Sequence, residues 1–141
     1  MAGDTYVTPR WVYEALYSVE PEFRDAMDVA PVNANFDFLA GNWFCPPSKI
    51  ATNPPFSKGE EFCRMALSYA DIVAMLLPMT FDAAKTRRDL FEEKPFKAKY
   101  TITRRIRWEN LEQKKNGPST NHAWYVWDWQ WKQKPIMGWL P

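Results

Sequence analysis

Four consecutive residues carry the strongest chemical signal in this 141-residue chain: Asn53-Pro54-Pro55-Phe56. They follow Lys49-Ile50-Ala51-Thr52, which reads as a strand end, and precede Ser57-x-x-Glu60, the pattern of a helix capping box. Two prolines remove two backbone donors, so the segment is neither helix nor central strand but a rigid turn. In open α/β sheets, ligands bind beyond the carboxyl ends of strands. There the Asn53 side-chain oxygen and the Pro54 carbonyl act as two fixed acceptors, and Phe56 offers a flat apolar face. Such a set suits an exocyclic amine on a planar ring. Two acceptors holding its two protons favour a pyramidal nitrogen whose localised lone pair attacks an electrophilic methyl group in line. Phe56 then holds the ring outside the stack, where enzymes must place a base to modify it. No metal and no nucleophilic side chain is required. The plain alternative is a loop with a cap.

The flanking sequence alternates helical and strand-like patterns. Thr8-Pro9 reads as a helix start, with Thr as N-cap and Pro at the first helical position. Val12, Ala15, Leu16 and Val19 then form one apolar face, and Pro21 closes the helix. Residues 26–30 read as a short buried strand stopping at Pro31, and residues 31–48, which hold Asn33, Asn35, Asn42, Pro46 and Pro47, as irregular. A helix after the turn carries Phe62, Cys63, Ala66 and Tyr69 or Ala70. Ile72 to Leu77 is a continuous apolar run ended by Pro78, the pattern of a fully buried parallel strand. A helix is expected over about residues 82–93. Tyr100, Ile102, Ile106 and Trp108 alternate with Thr101, Thr103, Arg105 and Arg107, the period of a strand. On it Arg105 and Arg107 share one face and Arg104 the other. Residues 109–121 read as a polar loop, and His122 to Trp131 as a second, aromatic strand. The sum is an α/β chain with a mostly parallel sheet of about five strands and an antiparallel C-terminal strand.

Length and composition bound the reading to one globular domain, residues 1–141, without a separate recognition domain. No apolar run is long enough to span a membrane, and Met1 to Asp4 lack an export signal. Cys45 and Cys63 read as free thiols in a reducing cytoplasm. Charge is uneven: residues 1–84 hold five basic and eleven acidic side chains, residues 85–115 eleven basic and five acidic. Lys85, Arg87, Arg88, Arg104, Arg105, Arg107, Lys114 and Lys115 are therefore candidate phosphate contacts, or else a solvated face. The only histidine, His122, reads as structural, because an amine that has become cationic needs no strong base to lose its proton. Trp124, Trp127, Trp129 and Trp131 exceed what one sheet face can bury. With the apolar tail of Ile136, Met137, Trp139 and Leu140 they point to a homodimer contact or a stacking surface, beside ordinary core and edge packing.

Asn-Pro-Pro-Phe after a strand resembles the signature of S-adenosylmethionine-dependent amino methyltransferases. Tyr6-Val7-Thr8-Pro9-Arg10-Trp11 is similar to the Thr-Pro opening of DNA adenine methyltransferases. Asp28-Val29-Ala30 with Asn33-Ala34-Asn35, Lys49 to Ser57, Ile72 to Pro78 and Asn121 to Trp127 resemble segments of the phage DNA N6-adenine methyltransferase family. The resemblance spans most of residues 6–128. It implies a reduced Rossmann-like methyltransferase sheet, S-adenosyl-L-methionine as cofactor, DNA as partner and a phage or prophage gene. It also implies work in the bacterial cytoplasm and a part in DNA methylation or restriction–modification. By the same resemblance Asn53, Pro54, Pro55 and Phe56 form the catalytic turn. Tyr6, Thr8 and Pro9 line the methionine end of the cofactor, Asp28 and Ala30 lie beneath it, and Asp37 is near its adenine; Asp37 reads equally as a helix cap.

Two features depart from the family. No glycine follows Asp28 before Gly41, and only 18 residues separate Ala30 from Lys49, against about 30 for a βαβ unit. Either the sheet is reduced, or the segment has lost its cofactor role. The alternatives are thus an inactive methyltransferase-like module that binds nucleic acid or protein, and an amino methyltransferase with another acceptor: RNA, cytosine N4 or a glutamine amide. Asn rather than Ser at position 53 favours adenine, by resemblance.

Overall fold

Apolar runs, continuous in the central strands, supply one five-stranded sheet. The computed structural model describes residues 6–30, 37–41, 46–110 and 120–141. The sheet contains β2 (Lys49–Thr52), β3 (Ile72–Pro78), β4 (Phe96–Ile102), β6 (His122–Asp128) and β7 (Ile136–Leu140), in the order β2-β3-β6-β4-β7. β2 pairs parallel with β3 and β4 parallel with β7, while β6 runs antiparallel to both β3 and β4. Four strands therefore point one way and β6 alone opposes them, which is the mixed α/β sheet expected. A two-residue ribbon, β1 (Tyr6–Val7) with β5 (Glu109–Asn110), stands apart from it.

Helices cover both faces, so the central strands are apolar on both sides. Val12 and Leu16 of α1 (Arg10–Val19) pack on Ala74, Leu76, Trp124 and Val126. Phe62, Cys63, Ala66 and Leu67 of α2 (Gly59–Tyr69), with Leu90 of α3 (Arg88–Glu92), pack on Val73, Met75, Leu77, Tyr125 and Trp127. Two fully buried indoles on opposite faces of β6 satisfy their N–H groups on the helices. Trp124 Nε1 donates to the Val12 carbonyl at 2.9 Å and Trp127 Nε1 to the Leu90 carbonyl at 2.8 Å. A buried ionised group must be paired. Glu20, 3% exposed, accepts from Lys97 Nζ at 2.7 Å and from the Tyr100 hydroxyl at 2.6 Å. This ties the end of α1 to β4.

Local expectations changed where tertiary contacts won. The strand over 26–30 is reduced to one parallel bridge, Met27 to Ile50, because the Ala30 N–H donates to the Asp28 carboxylate, which also holds the Thr52 hydroxyl, instead of to a ladder. The N-cap of α1 is Pro9, without a side-chain cap bond, and Thr8 bonds elsewhere. Ser57 and Glu60 form no capping box: a 3₁₀ turn, Phe56–Lys58, leads into α2, and Glu60 binds arginines. The helix over about 82–93 is two 3₁₀ turns and the short α3. The strand read at 100–108 begins at Phe96 and ends at Ile102, with a bend at Thr103–Arg104, so Arg104, Arg105 and Arg107 do not share strand faces. The aromatic strand stops at Asp128, so Trp129 and Trp131 lie beyond the sheet. The unpatterned tail is β7, an edge strand.

Candidate functional site

Because β2, β3, β4 and β7 point the same way, their carboxyl ends line one rim, which also receives the start of β6. The Asn53 turn lies there, after Thr52. So do Thr8 and Pro9 at the start of α1, held by the hydrogen bond from Asn53, and Asp28 and Ala30 after the Met27 bridge. Thr103 to Arg107, after β4, share the rim. Pro9 and Pro54 are buried, while Thr8, Asp28, Ala30 and Asn53 are half-buried. The structure thus brings Thr8, Pro9, Asp28, Ala30, Asn53 and Pro54 together.

Their hydrogen bonds gather on Asp28 and on Thr8. Asp28 Oδ1 accepts from the buried Thr52 hydroxyl at 2.5 Å and from the Ala30 N–H at 3.0 Å. Asp28 Oδ2 accepts from the Tyr13 hydroxyl at 3.5 Å. A carboxylate only accepts, so Tyr13 must donate to it. Thr8 stands beside the same hydroxyl. Thr8 Oγ1 in turn accepts from Asn53 Nδ2 at 3.1 Å. Asn53 thus turns its amide nitrogen to Thr8, and its Oδ1 has no side-chain partner among the described residues. Burial first, and the Asp28 charge second, push the Tyr13 phenol well above its ordinary value, so it remains a neutral donor. Asp28 has no cationic partner among the described residues.

Tyr13 and Thr52 are site members that the sequence reading missed. Thr52 adjoins the Asn53 motif, and Tyr13 falls on the same helix turns as the Thr8-Pro9 opening, but only the fold brings both to Asp28. Other candidates fare differently. Asp37 caps the 3₁₀ turn Phe38–Ala40 by accepting from the Leu39 N–H at 3.1 Å, so that carboxylate has a structural use. The Tyr6 backbone pairs with Asn110; its side chain and that of Phe56 lie outside the described structure. Pro55 is half-buried beside the turn.

The basic candidates divide. Arg87 bonds Glu60 and the Phe81 carbonyl, and Arg88 pairs with Glu92 at 2.7 Å. Arg105 Nε donates to Asn121 Oδ1 at 3.2 Å. Arg104 instead lies over the Trp11 ring, with its guanidinium carbon 3.7 Å from the centroid. Lys85 and Arg107 are exposed, and Lys114 and Lys115 lie outside the described residues. His122, at the start of β6, meets Trp108 edge-on at 5.1 Å and has a buried Nδ1 without a hydrogen-bond partner. Burial lowers its imidazole below the usual histidine range. Cys63 is buried, and burial pushes its thiol up, so it is inert. Cys45 lies outside the described residues. Among the described residues no cluster of His, Cys, Asp or Glu could hold a metal ion, and no helix is long and apolar enough to cross a membrane.

No protein-family model matches the chain, and no curated protein does. Among solved structures it is similar to one from Pyrococcus horikoshii described as "a putative RNA methyltransferase". The TM-score is 0.48 and the identity 15%, over 86% of this chain and 59% of that one. The chain thus spans less than two thirds of that protein's length.

Proposed function

We propose that the chain is an S-adenosylmethionine-dependent amino methyltransferase acting on adenine N6 in DNA, by direct transfer to a flipped-out base. The observation that carries this reading is the orientation of Asn53. With its nitrogen committed to Thr8, its Oδ1 and the Pro54 carbonyl are a pair of acceptors at a strand's carboxyl end. Two acceptors bind the two protons of an amine and localise its lone pair. The turn is stiff, so they need little reorganisation as positive charge develops on nitrogen. Phe56, next in the turn, is assigned the stacking face. The proton leaves a cationic amine of low pKa, so no strong base is needed.

The donor set fits a cationic cofactor. Asp28 accepts three hydrogen bonds and has no cationic partner among the described residues, and a sulfonium and an ammonium are the charges such a group attracts. S-adenosylmethionine, when bound, supplies an electrophilic methyl group on sulfur. Asp28, Ala30, Thr8 and Pro9 would hold it, and Thr52 and Tyr13 keep the Asp28 carboxylate oriented. The rim arginines suit a polyanionic acceptor, which favours nucleic acid over a protein amide.

A second reading, an inactive binding module, draws on the reduction of the first strand to the Met27 bridge. Labelled methyl transfer to adenine-containing DNA, with Asn53→Ala as control, separates the two. Transfer that needs Asn53 supports the enzyme. Cofactor binding without transfer to DNA or RNA, or no cofactor binding at all, supports the module.

A further inference from the structure

We infer that Arg104, set over the Trp11 ring, is a clamp for one phosphodiester of the nucleic-acid strand next to the target base. The inference rests on the reading of Asn53 above. Trp11 lies three residues beyond Thr8, whose hydroxyl holds the Asn53 amide. Three residues reach at most about 11 Å, so the stacked pair stands on the rim of the same site. Thr103 to Arg107 leave the carboxyl end of β4 on that rim, and Ile106, 1% exposed, anchors them to the core. The pair is therefore mounted on packed elements from both sides.

The chemistry of Arg104 differs from that of the arginines held in ion pairs, and its guanidinium sits closer to its ring than those of Arg24 over Tyr17, at 5.3 Å, and Arg87 over Phe81, at 4.2 Å. Arg10, Arg64, Arg87 and Arg88 are bound to Glu14, Asp89, Glu60 and Glu92. Arg104 has no carboxylate partner among the described residues. Stacking on an indole uses the face of a guanidinium and leaves its in-plane donors unspent. Those donors match two phosphate oxygens in a bidentate pair. The indole also fixes the plane beforehand, so less rotamer freedom is lost on contact. A lysine has no such plane. A phosphodiester within reach of a base bound at Asn53 is the ligand this geometry suits.

The test uses the full chain and adenine-containing oligonucleotides in which one phosphate at a time is a neutral methylphosphonate. Affinity and methyl transfer are measured for wild type, Arg104→Gln and Arg104→Lys. One position should cost wild type about tenfold in affinity, the scale of one lost charge-assisted hydrogen-bonded contact. Arg104→Gln should already have lost about that factor on unmodified DNA and lose nothing more at that position. Its salt slope should fall by about 0.9, one phosphate's share. Arg104→Lys should recover the slope but not the full affinity. Trp11→Phe should keep more affinity than Trp11→Leu, with melting temperatures checking the fold. Equal losses for wild type and Arg104→Gln at every position, an unchanged salt slope, or no nucleic-acid binding by wild type would overturn the clamp. Positional coupling without Asn53-dependent methyl transfer would leave the clamp standing and sink the amine reading. Transfer without coupling would do the reverse.

Discussion

Tyr13→Phe tests whether the hydrogen-bond chain sets the acceptor. The hydroxyl it removes donates to Asp28 and neighbours Thr8. Without it, the Thr8 hydroxyl is free to donate to Asn53 Oδ1, the atom assigned to the substrate. One net hydrogen bond of about 1 kcal/mol selects the productive amide orientation, a bias of about fivefold. Losing the bias costs less than about twofold, and inverting it costs about fivefold, in single-turnover methyl transfer at saturating cofactor and DNA. Thr8→Val removes the partner altogether and should fall in the same range. Asn53→Ala removes the acceptor itself and should cost about 10²–10³-fold, the scale of one lost preorganised group in a catalytic site. Among the described residues Asn53 makes one side-chain hydrogen bond, so the variant's melting temperature should drop by only about 2–4 °C. Two results would refute the reasoning: Asn53→Ala within tenfold of wild type, or Tyr13→Phe losing as much rate as Asn53→Ala.

Thr52→Val keeps the shape of a buried residue but removes a donor to Asp28, and should lower stability by about 1.5–3 kcal/mol in denaturant melts. Gly138→Ala should destabilise by about 1–3 kcal/mol, because its Cβ would lie 2.8 Å from the buried Tyr100 ring, whose hydroxyl is tied to Glu20; an unchanged melting temperature would show that the ring yields freely. The native pKa of His122 is depressed, by burial first. Its contribution is therefore present above the unfolded value of about 6.5 and lost as pH falls towards the native value; His122→Gln should flatten that part of a stability-against-pH curve.

The elements that were legible in the sequence are those whose pattern is enforced by burial on both faces. Ile72 to Pro78 and His122 to Asp128 form the strands their apolar runs announce, and the Asn53 turn follows a strand because its prolines permit little else. β4 was misplaced because its lysines look solvent-facing. Lys97 and Lys99 reach back to Glu20, to Asp82 and to the Met79 carbonyl, so polar positions at the start of the strand are half-buried. β7 was hidden because its inward face includes Gly138, a residue that marks no strand pattern until Tyr100 is seen against it. Thr8 looked like a cap because capping is a local rule, whereas its partner lies 45 residues away. The Asn53 turn was thus readable as a turn, and the contacts that support it were not. Tyr13 and Thr52 act through contacts that only the assembled rim creates.

The position of β6 has a consequence for the order in which the molecule assembles. It is late in the chain yet sits at the centre of the sheet, pairing Ile72 with Asp128 on one side and Phe96 with Trp127 on the other. The acceptor half, β2 and β3, cannot dock on the half bearing Arg104 until this strand is inserted between them. Its pairing with β3 closes loops of more than forty residues, and non-local pairings of that kind slow folding. Once inserted, it carries an indole bond to each helical layer, so fraying at either edge leaves the seam intact. Its amides should therefore be among the last to exchange with solvent.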